Sequence, residues 1–236
     1  MKKDLLTAPQ YGVTDFSCIY KSAIQNLLNK ILKDRSNDRL YTLLGFCYKK
    51  MNKLNKAITY FEKAIVLNQE AFSAYYQMGL CGLKLNKTCV AVNSFIKAIQ
   101  SNPTNPYAVL YLGVSHEYCE EPDMAFLIYE RLIVTTPDFI EAYEKKAELL
   151  IKLSHYSDAI PYLNRMVKSN PNNAKAYENL GNCYRKLGKQ SYAYRCYRKI
   201  LATNPEPEIY DKAISALKEI NTQPERRMQR EKIKLC

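Results

Sequence analysis

One interval governs this sequence: residues of the same physical type return every 34 positions. The stretch LYTLLGFCYKKMNKLNKAITYFEKAIVLN (40–68) aligns without a gap on AYYQMGLCGLKLNKTCVAVNSFIKAIQSN (74–102), then on segments beginning at Ala108, Ala142 and Ala176. Five copies run from Asp38 to Pro207 with no insertion. In such a chain each unit buries its apolar face on its neighbours, so the fold grows by stacking rather than by closing on one centre.

Within the unit, the recurring types fall at helical spacings. The first half holds a large residue (Tyr41, Tyr75, Val109, Tyr143, Tyr177) and, four positions later, a small one (Gly45, Gly79, Gly113, Ala147, Gly181). A small side chain there lets two helices approach closely, at the propensity cost that glycine carries in a helix. The second half repeats Ala57, Ala91, Ala125, Ala159 and Ala193, each followed four positions on by Phe61, Phe95, Tyr129, Leu163 or Tyr197. That spacing puts the alanine and the larger group on one helix face. Between the halves, Asn52, Asn86 and Gly188 tolerate the left-handed backbone that ends a helix. Asn55, Asp123, Ser157 and Ser191 are expected to cap the next helix through their side-chain oxygens. Pro103, Pro137, Pro171 and Pro205 close the units. The unit is predicted to be a helix–turn–helix hairpin.

On these residues the sequence resembles the tetratricopeptide repeat (TPR) family, whose 34-residue unit sets a bulky residue, Leu-Gly, Tyr, Ala, an aromatic, Ala and Pro at fixed offsets. Tyr41 to Ala64, Tyr75 to Pro103 and Tyr177 to Pro205 match that pattern closely. The third and fourth units depart from it, with His116 or Leu150 in place of the tyrosine and Lys146 in place of the leucine. The resemblance implies an all-α right-handed superhelical solenoid of five repeats, at 38–71, 72–105, 106–139, 140–173 and 174–207. Segment 1–37 reads as a degenerate N-terminal repeat or cap: Ala23 and Leu27 lie one period before Ala57 and Phe61, while the preceding stretch with Pro9 and Gly12 is a poor helix. Residues 208–221 read as a capping helix and 222–236 as a basic tail.

Composition narrows the function classes. No long charge-free apolar run marks a membrane span, and MKKDLLTAPQYG lacks the apolar centre of a secretory signal, so an intracellular and chiefly cytoplasmic protein is expected, with nuclear and ciliary settings open. Eight cysteines without a CxxC pair, and only two histidines, point to reduced packing thiols rather than to disulfides or metal. Cys47, Cys81 and Cys183 follow the period, two residues after the glycine. Cys236 lacks the three further residues of a prenylation box. There is no GxSxG, HExxH or phosphate-binding glycine loop, and His116 and His155 are isolated. No catalytic residue, cofactor or metal is assigned, and an enzyme is not expected.

In the family, partner binding uses the face lined by the first helices, and its offsets select candidate residues here. They give Phe46 in the first unit, Tyr76, Leu80 and Leu83 in the second, and Tyr107, Leu110, Tyr111, Val114 and Tyr118 in the third. The fourth contributes Glu141, Glu144 and Glu148; the fifth contributes Lys175, Asn179, Asn182 and Arg185, with Lys186 beside them. The expected groove runs from apolar through acidic to basic, suited to a peptide or helix with apolar anchors and some basic residues. A specialised form of the family grips chaperone-tail carboxylates with Lys and Asn, but Glu144, Glu148, Ile209 and Ala213 occupy the places it needs and would repel or ignore that ligand. The net charge of +12 is uneven, about −5 in the third unit and +5 in the fifth. The expected function is a non-catalytic scaffold or adaptor within a multiprotein complex. The alternative is an RNA-binding helical repeat using the basic C-terminal surface; against it, Glu144 and Glu178 stand where base-reading residues would recur.

Overall fold

The computed structural model describes residues 17–203 and 205–222; Pro9, Gly12, the tail beyond Thr222 and Cys236 lie outside the described residues. Within them the chain forms twelve α-helices and no strand. α1 (Ser17–Lys33) precedes five hairpins: α2 (Asp38–Lys50) with α3 (Leu54–Leu67), α4 (Phe72–Lys84) with α5 (Thr88–Ser101), α6 (Pro106–Tyr118) with α7 (Pro122–Thr135), α8 (Ile140–Lys152) with α9 (Tyr156–Ser169), and α10 (Ala174–Lys186) with α11 (Gln190–Leu201). α12 (Pro207–Thr222) follows. Within each compact unit neighbouring hairpins pack together, α3 on α4 in the first and α7 on α8 and α9 on α10 in the second, where α12 also covers α11. This is an all-α helical-repeat solenoid. It divides into two compact units between Ala108 and Val109, inside α6.

The small-and-large periodicity is the packing device inside each hairpin. Ala57, Ala91, Ala125, Ala159 and Ala193 are fully buried, as are Phe61, Phe95, Tyr129 and Leu163. A Cβ on Gly79 would lie 2.7 Å from the Phe95 ring, and one on Gly181 2.7 Å from Tyr197. Those distances are too short for any real contact, so the glycine is required by the ring beneath it. The fourth repeat solves the same problem with a smaller pair, Ala147 and Leu163, both fully buried in one cluster. Each buried ring or leucine contributes roughly 1.5–3 kcal/mol relative to exposure. At the ends, Ile24 and Ile31 of α1 pack with Leu44 and Cys47 of α2, and Ala213, Leu217 and Ile220 of α12 pack with Tyr197 and Ile200 of α11.

All five intra-hairpin turns share one backbone solution. Asn52, Asn86, Glu120, Ser154 and Gly188 have φ of 58°, 54°, 60°, 64° and 71°. The next residue's N–H reaches back five positions at 2.8–3.0 Å, from Lys53 to Tyr48 and Lys87 to Gly82, then Glu121 to His116, His155 to Leu150 and Lys189 to Tyr184. With the three-back bonds of the left-handed residues themselves, such as Asn52 to Lys49 at 2.9 Å, this is the Schellman motif. The turn therefore tolerates Glu and Ser as well as the expected Asn and Gly.

The expected caps are corrected. Asn55, Asp123, Ser157 and Ser191 lie at the second helical position, two residues past the N-cap, because the preceding helix ends in a turn only three residues long. The N-cap places fall to Lys53, Glu121, His155 and Lys189, none of which makes a side-chain cap bond. Side-chain capping occurs instead at first helices: Asn173 Oδ1 accepts from Ala176 N–H at 3.0 Å, and Asn105 Oδ1 from Ala108 N–H at 3.2 Å. Between hairpins, Asn68, Asn102 and Asn170 turn the chain by accepting from the N–H two residues on, at 3.0, 3.3 and 3.0 Å.

Candidate functional site

In the first compact unit, α2 and α4 lie side by side. Lys49 Nζ donates to Gln77 Oε1 at 2.5 Å across them, and burial holds this ammonium below its ordinary pKa. Phe46 is partly buried, with the Lys50 ammonium 5.3 Å from its ring centroid. Tyr76 stacks on Phe72 at 5.7 Å and meets buried Phe95 edge-on at 5.9 Å, so its ring belongs to packing as much as to a surface. Leu80 and Leu83 are partly buried, and Tyr107 is exposed in the first turn of α6. Sequence offsets named only Phe46 on α2, yet Arg39, Thr42 and exposed Leu43 line a cleft of about 400 Å³ with Phe72 and Ser73 of α4. Thr42 lies one period before Tyr76, and that register was the signal available.

In the second compact unit, α6, α8 and α10 carry the remaining candidates. Leu110 is a correction: it is 4% exposed, sealed under Ala142 and Leu149 of α8 in a cluster with Tyr129, and offers no surface. Tyr111 and Val114 are partly buried, Val114 against the same cluster. Tyr118 is 56% exposed. With Val114 and Glu117 it forms one wall of a cleft of about 340 Å³, and Lys145, Glu148 and Lys152 of α8 form the other.

Of the acids expected on α8, Glu148 lines this cleft, together with Glu117, which the offsets did not select. Burial, then the Glu148 charge and, more weakly, Glu141, raise the Glu144 pKa above the ordinary carboxylate range. Burial works to lower the Lys145 pKa, but its 2.7 Å bond to Glu148 and the charges of Glu148, Glu144 and Glu117 raise it on balance. Glu117 also accepts the buried Tyr129 hydroxyl at 2.6 Å, and burial with that bond drives the phenol far above its usual pKa. Glu141 is exposed at the start of α8.

At the other end of this unit the basic and amide groups are partly engaged by the chain itself. Arg185 donates to Glu219 of α12 at 2.9 Å, Lys175 pairs with Glu178 at 3.1 Å, and Asn182 accepts the Tyr197 hydroxyl at 2.8 Å. Asn179 is partly buried and Lys186 exposed. The capping helix supplies the carboxylate to Arg185, a contact no repeat offset would show.

Cys47, Cys81 and Cys183 are buried, and loss of water pushes their thiols up, Cys183 to about 11. Such thiols are poor nucleophiles at neutral pH. Cys196, partly buried against Cys183, is likewise raised to about 11. Among the described residues no group of three His, Cys, Asp or Glu could hold a metal ion, and no helix is long and apolar enough to cross a membrane. His116 Nδ1 lies 2.6 Å from a Glu121 carboxylate oxygen at its turn, a contact that ties the turn down.

Residues 39–70 and 72–105 match tetratricopeptide repeat family models, and residues 128–211 match the bacterial transcriptional activator domain. Anaphase-promoting complex subunit 3 of Schizosaccharomyces pombe (strain 972 / ATCC 24843) is 26% identical over 176 residues, covering 75% of this chain and 26% of that protein. The general transcriptional corepressor trfA of Dictyostelium discoideum is 30% identical over 99 residues, covering 42% of this chain and 7% of that protein. The chain thus spans about a quarter, or less, of the curated relatives it matches. Among solved structures, the crystal structure of YrrB, described as a TPR protein with an unusual peptide-binding site, superposes with a TM-score of 0.63 at 21% identity, covering 81% of this chain and 97% of YrrB. Helical hairpins repeating every 34 residues define a helical-repeat fold. Residues 39–70 and 72–105 are tetratricopeptide repeats, and the chain shares the fold of tetratricopeptide repeat proteins.

Proposed function

We propose that this chain is a non-catalytic adaptor inside the cell, most simply in the cytoplasm, that works within a multiprotein complex by holding a protein segment on the face of its first helices. The observation that carries the reading is the cleft between α6 and α8, where the exposed Tyr118 ring stands with Val114 beside Glu117 and Glu148. An apolar side chain of a partner helix or strand would sit on Tyr118 and Val114, and a neighbouring Lys or Arg would meet the carboxylates. The S. pombe relative, itself a complex subunit, and YrrB, with its peptide-binding site, support the same direction. RNA on the basic C-terminal surface has less support, because Arg185 and Lys175 already face Glu219 and Glu178.

The test compares partners recovered by affinity purification on the wild type with those recovered on Tyr118→Ala/Glu148→Gln. Loss of a specific set, confirmed by direct titration of the identified segment at about tenfold or greater weakening, is the expected result. Since Tyr118 is exposed, the melting temperature should stay unchanged; unaltered recovery on a folded variant refutes the reading.

A further inference from the structure

We infer that the turn edge of the first compact unit is a second binding site, separate from the first-helix face, and that it takes an acidic peptide segment. Residues 17–108 carry thirteen Lys and Arg against four Asp and Glu, a net of +9, whereas residues 109–222 carry fifteen of each. The charge excess is therefore gathered in one unit. Among the described residues every ion pair lies in the other one. No described carboxylate pairs with the cations of the first unit, although Lys50, Lys56 and Lys63 lie over the Phe46, Tyr48 and Tyr60 rings.

Several of them converge on a cleft of about 660 Å³, where the turn after α2 and the start of α3 face the end of α4. Lys53, Lys56 and Lys84 stand on its rim with Asn52 and Asn55, over Leu54 and Leu85. Lys87 Nζ donates to Asn55 Oδ1 at 3.0 Å, which uses the amide oxygen and leaves its N–H groups as donors. The first turn of α3 lies in the same wall, with no side-chain cap and no acid, whereas α7 and α9 carry Asp123 and Asp158 there. The positive end of the helix thus adds to the ammonium groups.

The lining favours a peptide over other anions. Single-stranded nucleic acid is held largely by stacking bases on aromatic side chains, and no ring lines this cleft. Tyr48 and Tyr60, the nearby candidates, stack on each other at 5.2 Å with planes 1° apart. A membrane-surface element would present large apolar groups for insertion, but Leu54 is buried and Leu85 partly so. Flexible lysines around an amide-lined cleft suit the spaced carboxylates of an extended Asp- and Glu-rich segment.

The experiment titrates the full chain into a labelled, short Asp/Glu-rich peptide and follows fluorescence anisotropy at low ionic strength. Lys53→Gln/Lys56→Gln/Lys84→Gln should weaken binding about tenfold. The control Lys21→Gln/Lys33→Gln/Lys97→Gln, equal in net charge and also on exposed positions, should change it by no more than about twofold. Tyr118→Ala/Glu148→Gln should leave it unchanged, which separates this site from the face of the first helices. Absence of wild-type binding at low salt, or equal loss in both lysine triples, overturns the inference. So does tighter binding of a single-stranded RNA homopolymer or of phosphatidylserine vesicles that vanishes with the turn-edge triple. Thermal melts of each variant verify that the comparison is between folded chains.

Discussion

Where the other repeats carry Leu44, Met78, Leu112 and Leu180, the fourth carries Lys146, and it is fully buried. Its ammonium lies 4.1 Å from the Phe126 ring centroid and 4.6 Å from that of Tyr162, and pairs with Glu130. Burial nonetheless pushes its pKa from 10.5 down to about 8. The unfolded chain holds this proton to higher pH than the folded one, so stability should rise with pH through that interval and the cost of the buried charge is complete below it. Lys146→Leu restores the residue usual at this place; it should raise stability at neutral pH by about 1–2 kcal/mol and flatten the rise at alkaline pH, as read by urea unfolding at several pH values. A loss of stability would show that the rings and Glu130 outweigh dehydration. The companion case is Gly181, where an added methyl meets the buried Tyr197 ring. Gly181→Ala should cost about 1–3 kcal/mol. Adding Tyr197→Leu, which recreates the Ala147 and Leu163 pair of the fourth repeat, should recover part of it; additive losses would mean the two positions do not couple.

The turns inside the hairpins show what periodicity can and cannot disclose. Asn52, Asn86 and Gly188 announced a left-handed residue because their types tolerate it, while Glu120 and Ser154 adopt the same backbone without any such signal. The Schellman bonds impose the conformation, and a strained residue is carried by the hairpin it joins. Ser154→Gly should therefore stabilise the chain by about 0.5 kcal/mol, the relieved left-handed strain exceeding the added freedom of the unfolded chain; chemical denaturation with unchanged m-value is the check. The helices themselves were readable because packing acts at i, i+4 within one short element, which repetition then reports five times over. The caps were not, since a shift of two residues at a helix start moves Asn55 or Ser157 from cap to first turn. The candidate surface was readable only in part for a related reason. Offsets say which side of α6 faces outward from its own hairpin, but α8 closes over Leu110, and α12, outside the period, brings Glu219 to Arg185.

Charge is distributed on a longer scale than any of these contacts. Residues 17–108 hold +9, whereas residues 109–222 sum to zero, their acids weighted to the third repeat and their bases to the fifth. Like charges on one compact body repel at a range set by the Debye length, about 30 Å at 0.01 M salt and about 10 Å at 0.1 M. The two units should then respond to salt in opposite senses. Raising NaCl across that interval screens repulsion in the first and should slow amide hydrogen exchange in α2 to α5. In the second, the same change screens attractive pairs such as Lys145–Glu148 and Lys175–Glu178, so exchange in α8 to α11 should stay level or quicken slightly. Residue-resolved exchange at the two salt concentrations decides it. Uniform slowing along the chain would show that the repulsion is shared by all the repeats rather than confined to the first unit, and the turn-edge lysines would lose the electrostatic reason for an acidic partner.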